Sequence, residues 1–485
     1  MNRRDALKSG LAMGLMGEAA RPPAAAGDAA ADMTNRELEM LQLSTLLYYL
    51  RETNPDNGMV RDKTQPGAAV SIAAVGMALA TIPVVVERKV LIREFAAKLA
   101  RKRLQYLLEC PQGPGPDASG YKGFFYHSLD IETGRRVWNR ELSTIDSAFL
   151  FAGAPDGRHL FRPRHRPRGR GPALRRRALS TGRLGLGPRR RGDAEPRLIP
   201  GGGFTPHRWR GFDEGLLLDL LGLGSPTHPL PPESYRAYCN TYEWKALYGR
   251  ELLYSGPLFT HQFSHLRIDF RGIRDDFMRT RDSDHSENSR RATFVQQEYA
   301  VHNPMGFAGY GKDCWGFTAC DGPGPARRVV KGVEREFFDY IARGAPFGPD
   351  DGTVAPWVVV ASLPFAPEIV IPTIRRFGEM ELEMTNPYGF KPSFDVSFAV
   401  PESPTGRWVT PYQFGIDQGP VILMIENYRT GLFWKLMRRC PPACAAPASR
   451  AAGSSLGRRG RAGGGAGIPT PRRILGWIDQ PSWRL

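Results

Sequence analysis

The chain has 485 residues, room for about three average domains or one large one. Its 41% apolar and 10% aromatic content supports a sizeable core and excludes a wholly disordered chain. The formal net charge of +17 is not spread over the chain, which excludes nucleic-acid binding by a basic face. Fourteen Arg between Arg158 and Ile199 face only Asp193 and Glu195, and seven Arg after Cys440 face only Asp479. These two stretches carry roughly +18, so the remainder is close to neutral.

From the N-terminus, MNRRDALKSGLAMGLMG places Arg3-Arg4 ahead of a short apolar run, the pattern of a twin-arginine export signal. Small residues at Ala24–Ala30 offer a cleavage site, so residues 1–33 are expected to be a signal and the protein periplasmic or secreted. No run of about 18 apolar residues follows, so no membrane span is expected.

Thr34 with Glu37 forms a helix-start box, and Leu38, Leu41, Leu46, Leu47 and Leu50 follow at helical spacing. Helices are predicted over 70–80, 87–108, 141–152, 212–221, 232–248, 290–301, 334–342, 354–363, 367–376 and 418–428. Strands are predicted only at 123–129 and 394–400. The fold class is therefore all-α, and a dozen helices in antiparallel pairs suit a closed double ring. Two stretches break the pattern. Residues 158–202 and 441–485 contain mostly Arg, Gly, Pro and Ala without apolar periodicity. Each is either disordered or the product of a shifted reading frame. Residues 34–157 and 203–440 are then two parts of one domain.

Aromatic residues alternate with acids, amides and histidines from 205 to 325. Rings stack on the apolar faces of sugars, and polar groups read their hydroxyls. The expected partner is an oligo- or polysaccharide, with no cofactor, no metal, no nucleic acid and a monomeric state. Four acidic motifs stand out. YHSLDIETGRRVWNRELSTIDSAFL holds Asp130, Glu132, Glu141 and Asp146, with Glu141 expected at a helix start and Asp146 well apart from it around the axis. HRWRGFDEGLLLDLL holds Asp213 and Glu214 beside Trp209, at a helix start where the dipole also favours acids. YQFGIDQGPVILMIENYR holds Asp417, a wall residue or a plain N-cap. GYGKDCWGFTACDGPGP holds Tyr310, Asp313, Trp315 and Asp321 on a glycine-rich loop. His261 and His265 have helical metal spacing, but Gln262 stands where a zinc-protease glutamate would be. The six cysteines show no CxxC pair, and buried thiols are expected, with a Cys314–Cys320 bridge as the alternative.

Taken together, GFFYHSLDIETGRRVWNRELSTIDSAFLFAGA, HRWRGFDEGLLLDLLGLGSPTHPLPPESY, ENSRRATFVQQ and FGIDQGPVILMIENYRTGLFW resemble the bacterial glycoamylase-like domain family. That family groups with the endo-β-1,2-glucanases of glycoside hydrolase family 144. The resemblance covers roughly residues 34–154 and 203–440. It implies an (α/α)6 toroid and hydrolysis of β-1,2-glucan with inversion. It also implies Glu214 as general acid, with Asp146 and Glu141 positioning or activating water. Asp213, Asp130, Trp209, Trp315, Asp417, His265 and Tyr310 are the substrate-binding candidates. The chain departs from the family where LIPGGGF stands in place of a W-x-P-E-[ST]-G-F motif. A carbohydrate-binding relative without catalysis and a glucan-remodelling transglycosylase are the alternatives.

Overall fold

The computed structural model describes residues 26–153, 197–199, 203–204, 209–225, 229–382 and 386–438. Arg3-Arg4, most of the 158–202 stretch, the 441–485 tail, Cys440 and Cys444 lie outside the described residues. Helices dominate, and the strands are short pieces in their connections.

The helix Ile72–Ala80 is buried along its whole length. Its sequence, IAAVGMALA, explains how it packs. Small side chains let two other helices approach its backbone, Thr144–Gly153 on one side and Gly415–Thr430 on another. A Cβ on Gly76 would lie 2.6 Å from the Leu150 Cα and the Phe149 carbonyl oxygen. A Cβ on Gly153 would lie 2.1 Å from the Gly76 carbonyl oxygen. On the other side, Gly415 would meet the Ala74 Cβ at 2.8 Å, and Gly419 would meet Met77. The helix Gly415–Thr430 also packs on Ala26–Arg51 and Pro356–Ala361. Its far end is held by Glu426, whose carboxylate accepts from Arg88 Nη2 at 2.9 Å and Gln42 Nε2 at 3.0 Å.

The segment before Ile72 links these helices. Val70 and Ser71 pair antiparallel with Leu129 and Ser128, and the Ile72 amide donates to the His127 carbonyl. The Gly415 amide donates to the Asp62 carbonyl at 2.7 Å. A five-stranded sheet contains Phe124–Tyr126, Leu142–Ser143 and Arg197–Ile199, with Leu142 paired to Leu198. A second, smaller core forms around Phe212, Leu216, Tyr235, Tyr238 and Met278.

Several predicted elements differ. The helix predicted over 87–108 begins only at Arg93, after a break where Lys89 takes φ +57°, and Ile82–Glu87 is a separate short helix before it. The 232–248 helix stops at Cys239, and the hairpin Trp244–Leu247/Arg250–Leu253 follows. The 334–342 segment is a strand, Val333–Phe337, paired with Ala326–Val330. Both hairpins turn on an X-Gly pair with positive φ at both residues, Tyr248-Gly249 and Lys331-Gly332. That backbone matches the twist of paired strands, and glycine adopts it without strain. The predicted strands at 123–129 and 394–400 are present. Cys110, Cys239, Cys314 and Cys320 are buried free thiols.

Strand Ala319–Cys320 pairs with Ile341–Ala342, and beneath them Arg343 and Asp351 form an ion pair with both side chains fully buried. Arg343 Nε and Nη2 each donate to Asp351 at 2.7 Å, and Nη1 donates to the Cys320 carbonyl at 2.7 Å.

The helix contact at Gly76 yields a direct test. Valine there must displace backbone rather than a flexible side chain, so Gly76→Val is expected to lower unfolding stability by about 1–3 kcal/mol or more. Urea melts followed by circular dichroism measure this, and an unchanged midpoint would disprove the close approach.

Candidate active site

Asp146 lies in the first turn of Thr144–Gly153 and is 7% exposed. Glu141 is not on that helix. It precedes the strand Leu142–Ser143, and this corrects the expectation that helix phase separates the two acids. Both reach one imidazole. His127 Nδ1 lies 3.1 Å from Glu141 Oε1 and 3.7 Å from Asp146 Oδ2. The Asp146 charge, opposed by burial and assisted by Glu141 and Asp62, raises the His127 imidazole to about 9. At neutral pH it is a cation flanked by carboxylates.

Asp213 and Glu214 stand at the entry to Gly215–Leu223. Asp213 caps the turn. Its Oδ1 accepts from the Gly215 amide at 2.9 Å and from the Tyr238 hydroxyl at 2.7 Å. Glu214 makes no capping bond with its side chain. Gly215 has no side chain to hold Trp209 away, and a Cβ there would lie 3.2 Å from the indole. Burial is the main force raising both carboxyls, and the neighbouring charges of Asp213 and Asp146 raise Glu214 further. Asp213 receives two donated hydrogen bonds that favour its anion, and Glu214 is the higher of the two. Glu214 and Asp146 thus belong to one electrostatic neighbourhood although 68 positions separate them in sequence.

Asp417 is the third residue of Gly415–Thr430, whose N-cap is Phe414, so Asp417 is not an N-cap. It is 6% exposed, and burial, with Asp321 and Asp62 nearby, pushes its carboxyl well above the usual range. Asp62, which no motif signalled, connects the two acid groups. Its carboxyl is raised by burial and by Asp146 and is lowered by His127 and Lys63.

Other candidates do not join this group. Trp315 is fully buried and donates from Nε1 to Thr373 Oγ1 at 3.0 Å, so it is a core residue and cannot stack on a sugar. His265 is 2% exposed, packed between Phe270 and Phe365, with Nε2 3.1 Å from Ser289 Oγ. Burial lowers its imidazole well below the ordinary value, so it is a neutral core histidine. Tyr310 spends its hydroxyl on Asp350 at 2.6 Å. Asp130 spends its carboxylate on Thr133 and the Glu132 amide, closing its own turn. No cluster of His, Cys, Asp or Glu suited to a metal ion occurs among the described residues.

This arrangement is a mainly helical fold in which acids from distant segments meet beside an aromatic turn. Solved structures share the fold. A crystal structure described as a "putative glucoamylase" from Bacteroides uniformis superposes with a TM-score of 0.70 at 26% identity, covering 86% of this chain and 97% of that one. The endo-β-1,2-glucanase of Chitinophaga pinensis, solved with sophorotriose and glucose, superposes with a TM-score of 0.70 at 22% identity, covering 86% and 98%. Residues 206–441 match the Glycoamylase family model, described as "Putative glucoamylase". Over 449 residues the chain is 25% identical to the exo β-1,2-glucooligosaccharide sophorohydrolase (non-reducing end) of Parabacteroides distasonis. That alignment takes in 84% of this chain and 57% of the relative's length.

The raised His127 pKa fixes the sign of a pH effect. Its pairing with the acids stabilises the fold fully below the unfolded histidine value of about 6.5. That contribution is lost as pH rises through about 9. Thermal melts of wild type and His127→Asn should therefore differ most in mild acid and converge above pH 9. A gap that widens with pH would contradict the cation.

Proposed function

We propose that the chain is an inverting glycoside hydrolase acting on β-1,2-glucan, built on an (α/α)6 toroid. The observation that carries this reading is the Glu214 carboxyl, kept protonated by burial and by neighbouring negative charge, in the same field as Asp146. Hydrolysis needs one carboxyl as an acid and a second as a base. Glu214 donates its proton to the glycosidic oxygen as the bond from that oxygen to the anomeric carbon breaks. Water attacks the opposite face of the sugar, and Asp146 takes the water proton. Glu141 acts through His127 and is a positioning residue. Trp209 and Asp213 shape the mouth of the site. The similarity to β-1,2-glucan-cleaving relatives supports the choice of linkage.

Residues 34–157 and 203–440 are read as one domain, which the Gly415–Asp62 backbone bond and the packing of Gly415–Thr430 on Ile72–Ala80 support. Arg3-Arg4 supports export by the twin-arginine route to the periplasm or outside the cell, as a monomer. No helix among the described residues is long and apolar enough to cross a membrane.

Reducing-end release from linear β-1,2-glucan tests the reaction. Glu214→Gln is expected to lower kcat by about 10²–10⁴, the usual worth of a general acid. Asp146→Asn should do the same, and the first product should carry the inverted anomeric configuration by NMR. Binding without release by the wild-type chain would instead identify a sugar-binding relative. Because the Glu214 pKa is raised, the active protonated form persists on the alkaline side of an ordinary glutamate. The alkaline limb of the rate profile should fall well above pH ~4.3. A limb at that ordinary value would remove Glu214 from the acid role.

A further inference from the structure

Glu214 makes no capping bond with its side chain, so the turn at 211–214 decides where its carboxyl stands. That turn is pinned twice. Its backbone is tied to Pro232–Cys239 and the residues just after it. The Gly211 amide donates to Thr241 Oγ1 at 2.8 Å, and the Asp213 amide donates to the Tyr238 hydroxyl at 3.1 Å. Its one apolar side chain, Phe212, is buried against two histidines. The Phe212 ring stacks on the His285 imidazole, with centroids 5.6 Å apart and planes 9° from parallel. The His261 ring is 5.0 Å away, and Tyr242 meets Phe212 edge-on at 5.8 Å.

Both imidazoles are themselves held. His285 Nε2 lies 3.0 Å from Asp275 Oδ2, and the same oxygen accepts from the Tyr235 hydroxyl at 2.5 Å. The other Asp275 oxygen accepts from the Met278 amide at 2.7 Å. His261 Nε2 lies 3.3 Å from the Ser255 carbonyl oxygen, and its Nδ1 lies 3.3 Å from Asn288 Nδ2. Burial lowers the His261 imidazole to about 4, so it is neutral near pH 7. Tyr235 and Tyr238 are three residues apart on one helix, so Pro232–Cys239 fixes both the Asp275–His285 pair and the Asp213 carboxyl. His285 is buried, yet its Nδ1 has no hydrogen-bond partner among the described residues. A hydrocarbon ring would fill that place without an orphaned nitrogen. Only an imidazole both stacks on Phe212 and ties to Asp275.

We propose that Phe212 is a positioning residue for Glu214, held in register by the His285–Asp275 pair. This rests on the general-acid role given to Glu214 above. Phe212 acts through the turn: a ring that tilts swings the carboxyl two residues on. Catalysis falls steeply when a reacting group is misplaced by about 1 Å.

Kinetics on linear β-1,2-glucan across a range of pH test this for wild type, Phe212→Leu and His285→Gln, with melts confirming the fold. Each substitution removes one ring of the stack and loosens the turn toward water. Both should lower kcat about 10- to 100-fold, with KM within about twofold. Water at the carboxyl favours its anion, so the alkaline limb should move to lower pH, toward the ordinary ~4.3. The charges that act on Glu214, those of Asp213 and Asp146, are the same in both variants. A smaller folded fraction alone lowers kcat and leaves the limb in place, so an unmoved limb overturns the proposal. Leu223→Val thins the same core at the far end of Gly215–Leu223 and should keep kcat and the limb. A limb moved as far by Leu223→Val as by Phe212→Leu would mean general loosening and overturns the proposal too. The isosteric Asp275→Asn, with a smaller shift in the same direction, replaces any variant that does not fold. If the wild-type chain releases no sugar, the hydrolase reading fails. Carbon-13 NMR titration of the Glu214 carboxyl, assigned with Glu214→Gln, then decides the clamp. A midpoint lowered by Phe212→Leu upholds it, and an unmoved midpoint overturns it.

Discussion

At Gly76 two helix backbones come so close that a single added methyl would strike a main-chain atom of the neighbour. Gly415 and Gly419 bring a third helix onto the same short apolar segment. Close-packed interiors transmit such constraints without slack. One of the flanking helices carries Asp146 and the other carries Asp417. Their separation is set by the thickness of the helix between them, and Asp62 enters from the irregular segment that precedes that helix. The acidic site depends on alanine and glycine far more than on any acidic residue.

Burial then gives similar side chains different roles. Asp213 and Glu214 are adjacent in sequence and share a turn. Donors from Tyr238 and Gly215 reach Asp213 and favour its anion, while burial and neighbouring charge hold Glu214 higher. His127 and His265 show the same division. Carboxylates flank the first and keep it charged, whereas aromatic rings enclose the second and keep it neutral. Type of residue sets what is chemically available, and surroundings set the state in which it works.

Much of this was legible in the sequence where a pattern was long. The apolar periods of Ile72–Ala80, Thr144–Gly153 and Gly415–Thr430 announce helices, and GFDEG announces a polar entry to an apolar one. Asp213 and Glu214 stand at the mouth of an apolar helix in the sequence, but it is the family resemblance that singles out Glu214 and Asp146. What failed was facing. CWGF and HQFSH are rich in aromatic and polar residues whether they line a cleft or fill a core, and Trp315 and His265 fill the core. Asp62 belongs to a short irregular segment without period, so its place among the acids depends on long-range pairing that local spacing does not encode. The two hairpins were missed for another reason. Tyr248-Gly249 and Lys331-Gly332 are turn signals, but helix-compatible runs on either side masked them. His127 was present in the YHSLD motif and was passed over in favour of the acids it pairs with.

The sealed Arg343–Asp351 pair bears on how this chain can diverge. Losing either member alone strands a full charge in a dry interior, a penalty of about 3–5 kcal/mol that few folds of ordinary stability survive. Exchanging both for well-fitting apolar side chains would be tolerable, but the two substitutions would have to arrive almost together. Drift at these two positions is therefore blocked one step at a time, and the floor beneath the Ala319–Cys320/Ile341–Ala342 ladder is expected to be inherited as a unit while the surface above it varies.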